Sequence, residues 1–206
     1  MNKNKQAVSV FNKLSDIYEQ KYMDVSHYGH ALNLFCQHII TQKAAIFELA
    51  CGPGNVAKYL LERRPDFNYT GTDLSEKMIA LAKKNNPSGN FYLFDSMALA
   101  TLEEKQDGLI AAFLFPYLPK DSVLELIKTS ASKLNPDGIL YISTMEDDYS
   151  NSRLVQGSTG DEIFIYYHDS SYIIKALKSN GFSILLEERI PNGNDVDLII
   201  LAKKHS

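Results

Sequence analysis

Hydrophobic spacing divides the chain into two regimes. Between residues 8 and 40 apolar positions recur at helical intervals. Phe11, Leu14, Tyr18 and Tyr22 share one face of a helix predicted over 8–22, and Ala31, Leu34, Phe35 and Ile39 share one over 29–40. From residue 44 onward, short apolar runs alternate with helical stretches. The pattern predicts strands at 45–49, 68–72, 90–94, 108–112 and 139–144, with helices at 56–64, 75–85 and 123–134. Ser75 is a natural N-cap, Ser122-x-x-Glu125 reads as a capping box, and Asn135-Pro136-Asp137-Gly138 ends the third helix. A polar, irregular stretch at 146–161 leads to a short extended run at 162–166 and a helix at 170–180 that stops at Gly181. Strands at 182–189 and 197–203 close the chain. They are expected to pair antiparallel, because only a short turn through Pro191–Asp195 separates them.

Alternating strands and helices imply an α/β fold, with a mostly parallel sheet of seven strands, an antiparallel last strand and helices on both faces. The two leading helices precede any strand and are expected to form a lid over the carboxyl edge of the sheet. The chain then reads as one domain, 1–206, with a lid at 1–43, a core at 44–206 and a substrate-side insertion at 146–169. Its 206 residues suffice for a core without covalent staples. A net charge of −4 disfavours a nucleic-acid partner. With only Cys36 and Cys51, no disulfide framework or metal site is readable. The polar opening Met1–Gln6 is followed by no apolar core, and the apolar run 109–115 is too short to span a bilayer. A soluble cytoplasmic protein with no membrane span is expected, and its oligomeric state is not legible.

The chemistry lies at the strand ends. "IFELACGPGNVAKYL", residues 46–60, is a strand, a tight turn and a helix, and Gly52-x-Gly54-x-x-Ala57 fits a Rossmann-like nucleotide turn. The second strand ends at Asp73, 21 residues beyond Gly52, the interval expected of a carboxylate that grips ribose hydroxyls. The third ends in Phe94-Asp95-Ser96-Met97, where a carboxylate and a soft apolar side chain suit an adenine. Taken singly, each has a bland reading: Asp73 as a helix cap, Asp95 as a solvated turn residue. A dinucleotide is the alternative ligand. Pro53 removes a backbone donor from the turn, and Glu48 brings negative charge that suits an ammonium and opposes a pyrophosphate.

The segments 48–55, 71–85, 94–97 and 134–144 together resemble the class I S-adenosylmethionine-dependent methyltransferases, in particular the small-molecule branch of the ubiquinone-biosynthesis and trans-aconitate kind. The resemblance implies S-adenosylmethionine as cofactor and a small-molecule methyl acceptor. It implies that Ala50, Gly52 and Gly54 wrap the methionine part and that Glu48 orients the loop and helps hold the ammonium; Tyr22, on the first helix, is a cofactor-binding candidate because its aromatic face suits a sulfonium. Asp73 takes the ribose with Leu74 and Met78 near the adenine, which Asp95, Ser96 and Met97 frame, while Ala112 and Phe113 lie beside the sulfonium.

No catalytic base is legible. Pro116-Tyr117 stand where relatives often carry histidines. Phe115-Pro116-Tyr117 is similar to a motif of amine-methylating nucleic-acid enzymes, but it falls too late after its strand. His168 is a candidate pocket residue, against the reading of a partly exposed loop histidine without a role; His27 and His30 read as surface residues. Tyr18, Tyr28 and Tyr117 are candidates to line the acceptor cavity, with Tyr18 and Tyr22 equally readable as core residues on one helix face. A protein that binds the cofactor without catalysis is a second functional reading.

Overall fold

Along the strands apolar residues alternate between two faces, and each face collects its own core. Ile46, Ile110, Tyr141 and Ile199 point to one face, and their neighbours Phe47, Leu109, Ile142 and Ile200 to the other. The computed structural model describes residues 3–157 and 159–206, so Met1 and Asn2 of the polar opening and Ser158 of the polar stretch lie outside the described residues.

Nine strands and six helices carry the chain: α1 (Lys3–Tyr22), α2 (Gly29–His38), β1 (Ala45–Glu48), α3 (Asn55–Arg63), β2 (Asn68–Asp73), α4 (Glu76–Asn85), β3 (Asn90–Leu93), β4 (Gln106–Ala112), α5 (Lys120–Lys133), β5 (Leu134–Met145), β6 (Arg153–Gln156), β7 (Glu162–Ile165), α6 (Ser170–Ser179), β8 (Phe182–Asn192) and β9 (Asp195–Lys204), all among the described residues. The main sheet has seven strands in the order β3-β2-β1-β4-β5-β9-β8, with β9 antiparallel to both neighbours and every other pair parallel. Helices α2, α3 and α4 cover one face, and α5 and α6 the other. The order turns back between β1 and β4, and a crevice opens at the carboxyl ends there.

Most local expectations hold, and four differ. Helix α4 starts as expected, with the Ser75 Oγ accepting from Met78 N at 3.2 Å. Helix α5, however, begins at Lys120 behind Pro119, which caps it without a side-chain bond, so the Ser122–Glu125 pair lies inside the helix. Proline's fixed φ defines the entry three residues earlier than the capping box suggests. The Asn135–Gly138 turn is absorbed into β5, with Asp137 taking φ +64°. The polar stretch contains a two-stranded hairpin, β6 with β7. β6 is exposed along its length and has no buried face to imprint an alternating pattern.

The largest difference concerns α2. It belongs to the core and not to a lid. Ala31, Leu32 and Phe35 are buried against the sheet, as is Ile39 just beyond the helix. Gly108 of β4 makes this possible, since a Cβ there would lie 2.6 Å from Phe35 Cζ and 2.8 Å from Ile39 Cδ1. The apolar stripe of α2 pairs with the sheet face, the largest apolar surface within reach. Only α1 crosses the carboxyl edge. It touches α4, β7 and the short turn of helix at Phe115–Tyr117. Its attachment is largely polar: Ser75 donates to Asn12 Oδ1 at 2.6 Å, Lys13 pairs with Asp161 at 2.9 Å, and Asn85 donates to Glu19 at 2.8 Å.

Candidate active site

The crevice holds two connecting cavities at the ends of β1, β2, β4 and β5. The smaller, about 110 Å³, runs between α1 and the ends of β2 and β4, and the larger, about 490 Å³, opens over β1, β5 and β9. They share Tyr18, Ala50, Gly52, Ala112, Phe113 and Tyr117 as common walls. Together they have the size of a pocket for a cofactor-sized ligand and a small partner.

Three backbone positions around the shared wall are left-handed: Ala50 at φ +52°, Gly52 at +52° and Phe113 at +50°. Left-handed alanine and phenylalanine are sparsely populated conformations, held only where their surroundings over-determine them. Two bonds hold Phe113, whose N–H donates to the Ser143 carbonyl and hydroxyl, each at 3.0 Å. The Asp73 carboxylate ties the glycine turn to the start of α4, accepting from Gly52 N at 3.0 Å and from Ser75 N at 2.8 Å. Burial raises its pKa, against the lowering effect of those backbone donors. Ser75, not Asp73, is the helix cap.

Glu48 lies at the floor of the larger cavity and is 1% exposed. Its Oε2 accepts from the Tyr69 hydroxyl at 2.7 Å. Burial pushes its carboxyl up to about 8, with the Tyr69 hydrogen bond pulling down and the neighbouring Asp73 charge adding to the rise. A cation arriving at this carboxyl favours its ionised form.

Most of the sequence-predicted site residues converge here. Asp73, Leu74, Met78, Asp95 and Ser96 line the smaller cavity, and Tyr22, Tyr28 and Glu48 the larger. Asp95 also receives Met97 N at 2.9 Å, which fixes the turn that follows β3. Three candidates lie elsewhere. Met97 is exposed and lines neither cavity. Gly54 turns away from both: its left-handed backbone, φ +80°, starts α3, and an added Cβ would fall 2.3 Å from Asn86 Nδ2 and 3.2 Å from Ala82 Cα. Its missing side chain serves the packing of the turn on α4.

His168 is neither exposed nor in the pocket. It is fully buried, with Nε2 donating to the Phe115 carbonyl at 2.8 Å and Nδ1 facing the Tyr172 hydroxyl. Burial lowers its pKa and favours the neutral ring. We expect His168→Ala to cost about 2–4 kcal/mol of stability, from an orphaned carbonyl and a new void. Cofactor affinity is expected to stay within about twofold, which thermal unfolding and titration on one sample would check.

The sequence reading missed Ala7, Val8 and Phe11 of α1, and Ser143, Met145, Asn192, Asp195 and Asp197 at the far side of the larger cavity. A signal existed for Asp197, since it begins the apolar run 198–202. Two aromatic groups line the cavities: Phe11 meets Tyr18 and Tyr117 at centroid distances of 5.6 and 5.2 Å and Tyr18 meets Tyr22 at 4.5 Å, while Tyr28 meets Phe113 at 5.4 Å.

Residues 46–138 match the methyltransferase domain family. The chain is 31% identical over 112 residues to trans-aconitate 2-methyltransferase of Variovorax paradoxus, which covers 54% of this chain and 42% of that protein. It is 29% identical over 137 residues to the malonyl-[acyl-carrier protein] O-methyltransferase of Bacillus anthracis, covering 65% of this chain and 50% of the relative. The chain thus spans about half the length of these curated relatives. Among solved structures it resembles magnesium protoporphyrin IX methyltransferase from Synechocystis PCC 6803 with bound SAM, with a TM-score of 0.74, 18% identity and coverage of 99% and 98%. It also resembles an S-adenosylmethionine-dependent methyltransferase from Clostridium acetobutylicum, with a TM-score of 0.74, 16% identity and coverage of 96% and 100%. At such identities these structures establish the fold.

Proposed function

We propose, from the premise that residues 46–138 belong to the class I methyltransferase family and that its cofactor is S-adenosylmethionine, that this chain methylates an oxygen, nitrogen or carbon of a small-molecule acceptor. The observation that carries the reading is the Asp73 carboxylate, which joins the glycine turn to α4 while lining the smaller cavity. Each of its oxygens retains a lone pair for a ribose hydroxyl. Glu48 suits the ammonium of the methionine part, and the left-handed turn at Ala50 and Gly52 lets backbone approach it closely. Leu74, Met78, Asp95 and Ser96 surround the base.

When bound, S-adenosylmethionine supplies a methyl group on a positively charged sulfur, the electrophile of the transfer. The protein has to align the acceptor with that methyl and exclude water. Ala112 and Phe113, on the wall common to both cavities, are the residues assigned to the meeting point. Tyr18 and Tyr117 close it from the α1 side, and their faces suit a cationic sulfur. Trans-aconitate and malonyl-acyl carrier protein in the relatives' names support a small-molecule acceptor. Among the described residues no helix is long and apolar enough to cross a membrane. The relatives support neither a non-catalytic cofactor binder nor an NAD(P) protein.

Calorimetric titration tests the reading. S-adenosylmethionine and S-adenosylhomocysteine are expected to bind with dissociation constants on the order of micromolar, and NAD not at all. Affinity should rise as pH rises through about 8, because the ammonium binds the ionised Glu48 better than the neutral form. In Glu48→Gln this rise should be absent. Stabilisation by NAD with no response to S-adenosylhomocysteine would reverse the cofactor assignment, and failure of labelled methyl transfer to every pooled amine, acid and phenol would reverse the activity.

A further inference from the structure

The larger cavity has an unusual charge balance. Asp24, Glu48, Asp195 and Asp197 line it, and no lysine or arginine does; His27 is its one basic side chain among the described residues. One carboxylate is also incompletely satisfied. Asp197 is fully buried; its Oδ2 accepts from the Tyr28 hydroxyl at 2.7 Å and from Asn192 Nδ2 at 3.0 Å, while Oδ1 has no hydrogen-bond partner. Register gives the direction of this side chain. Asp197 pairs with Met145 across β5 and β9, and on antiparallel strands directly opposed residues share a face. Tyr141, Ser143 and Met145 occupy that face and line the same cavity. Thr144 Oγ1, the other buried oxygen without a partner, lies on the opposite face with Leu198 and is not part of the cavity.

A buried carboxylate with an empty lone pair is costly unless a donor or cation completes it. The cofactor's ammonium, assigned to Glu48, does not serve here. Glu48 is on β1 and Asp197 on β9, three strands away in the order β1-β4-β5-β9, which is about 14 Å at the usual strand spacing. A metal ion does not fit either, since among the described residues no three His, Cys, Asp or Glu side chains converge as ligands. Tyr18, Tyr28, Phe113 and Tyr141 add aromatic surface to the same wall.

We infer that the acceptor carries an amine: a small molecule with an apolar or aromatic body whose ammonium is drawn to the Asp197 carboxylate. This rests on the cofactor reading only for which cavity is left to the acceptor. The carboxylates around it oppose an acid, and the tyrosine faces favour a cation.

Calorimetric titration of the full chain, with and without S-adenosylhomocysteine, with phenethylamine and with 3-phenylpropanoate of similar size, tests the inference. Phenethylamine is expected to bind at least about tenfold more tightly at neutral pH, and Asp197→Asn to remove at least about tenfold of its affinity while leaving that for S-adenosylhomocysteine unchanged. Equal or tighter binding of the acid, no measurable binding of the amine, or an amine affinity indifferent to Asp197→Asn in a folded variant would overturn it. The comparison of the two probes on the unaltered protein does not depend on how the variant folds. Preference for the amine without any S-adenosylhomocysteine binding would instead overturn the cofactor reading and leave an amine site that is not an acceptor site.

Discussion

Deletion of residues 1–40 is expected to unfold the protein, whereas deletion of residues 1–22 should leave it folded and inactive. The first deletion removes α2 with Ala31, Leu32 and Phe35, and Ile39 beyond it, all buried against the sheet. Each of the larger side chains contributes about 1.5–3 kcal/mol on burial, and the sum approaches the 5–15 kcal/mol by which domains are stable at all. The second removes α1, whose anchors are mostly hydrogen bonds and two exposed ion pairs worth at most about 1 kcal/mol each. Without α1 the Phe11, Tyr18 and Tyr22 wall is gone and water reaches both cavities. Methyl transfer is expected to disappear, while cofactor affinity falls less, since Asp73, Glu48 and the glycine turn remain. Circular dichroism, titration with S-adenosylhomocysteine and a turnover assay on the two truncations decide the matter. A folded 1–40 deletion would contradict the core assignment of α2, and an active 1–22 deletion would contradict the covering role of α1.

Asp73→Ala carries the second large effect. With Asp73 at the ribose as proposed, the substitution removes charge-assisted bonds worth roughly 1.5–3 kcal/mol each, and a net loss of about 2–4 kcal/mol, or about 30- to 1000-fold in affinity, is expected after non-additivity. The structure adds a second consequence. The same carboxylate receives Gly52 N and Ser75 N, so its loss also leaves the glycine turn without its tie to α4. Asp73→Asn keeps an acceptor but loses the charge and is expected to be milder. Cofactor binding by Asp73→Ala equal to that of the unaltered protein would remove Asp73 from the ribose site.

How far the chain could be read depended on the range of the interactions that decide each feature. Strands β1 to β4 and helices α3, α4 and α6 were legible because their signals are local: apolar runs, helical periodicity, Ser75 as cap, Gly181 as stop. The antiparallel pairing of β8 and β9 followed from the short turn between them, which leaves no room for a crossover. The glycine turn, Asp73 and Asp95 were legible as strand ends that meet in one crevice, because an α/β chain with regular alternation brings its carboxyl ends to one edge.

Other features depended on which surfaces meet. α1 and α2 carry similar apolar stripes, and periodicity cannot say that one covers the sheet and the other crosses its edge. That was decided by Gly108, whose missing side chain admits Phe35 and Ile39 to the sheet face from more than 60 positions away. His168 read as a loop residue because its neighbours are polar, but the Phe115 carbonyl that holds it is 53 residues distant. Gly54 and Gly52 are indistinguishable in the motif, yet one packs on α4 and the other lines the cavity. Asp197 is the extreme case: an ordinary charge before an apolar run, made a buried and half-satisfied carboxylate only by Tyr28 from 169 residues away and by its register against Met145. Local sequence determined the elements and the cofactor turn. The packing of distant segments, which sets burial and so the strength of every charge, decided the placement of α1 and α2, the larger cavity and the buried carboxylate in its wall.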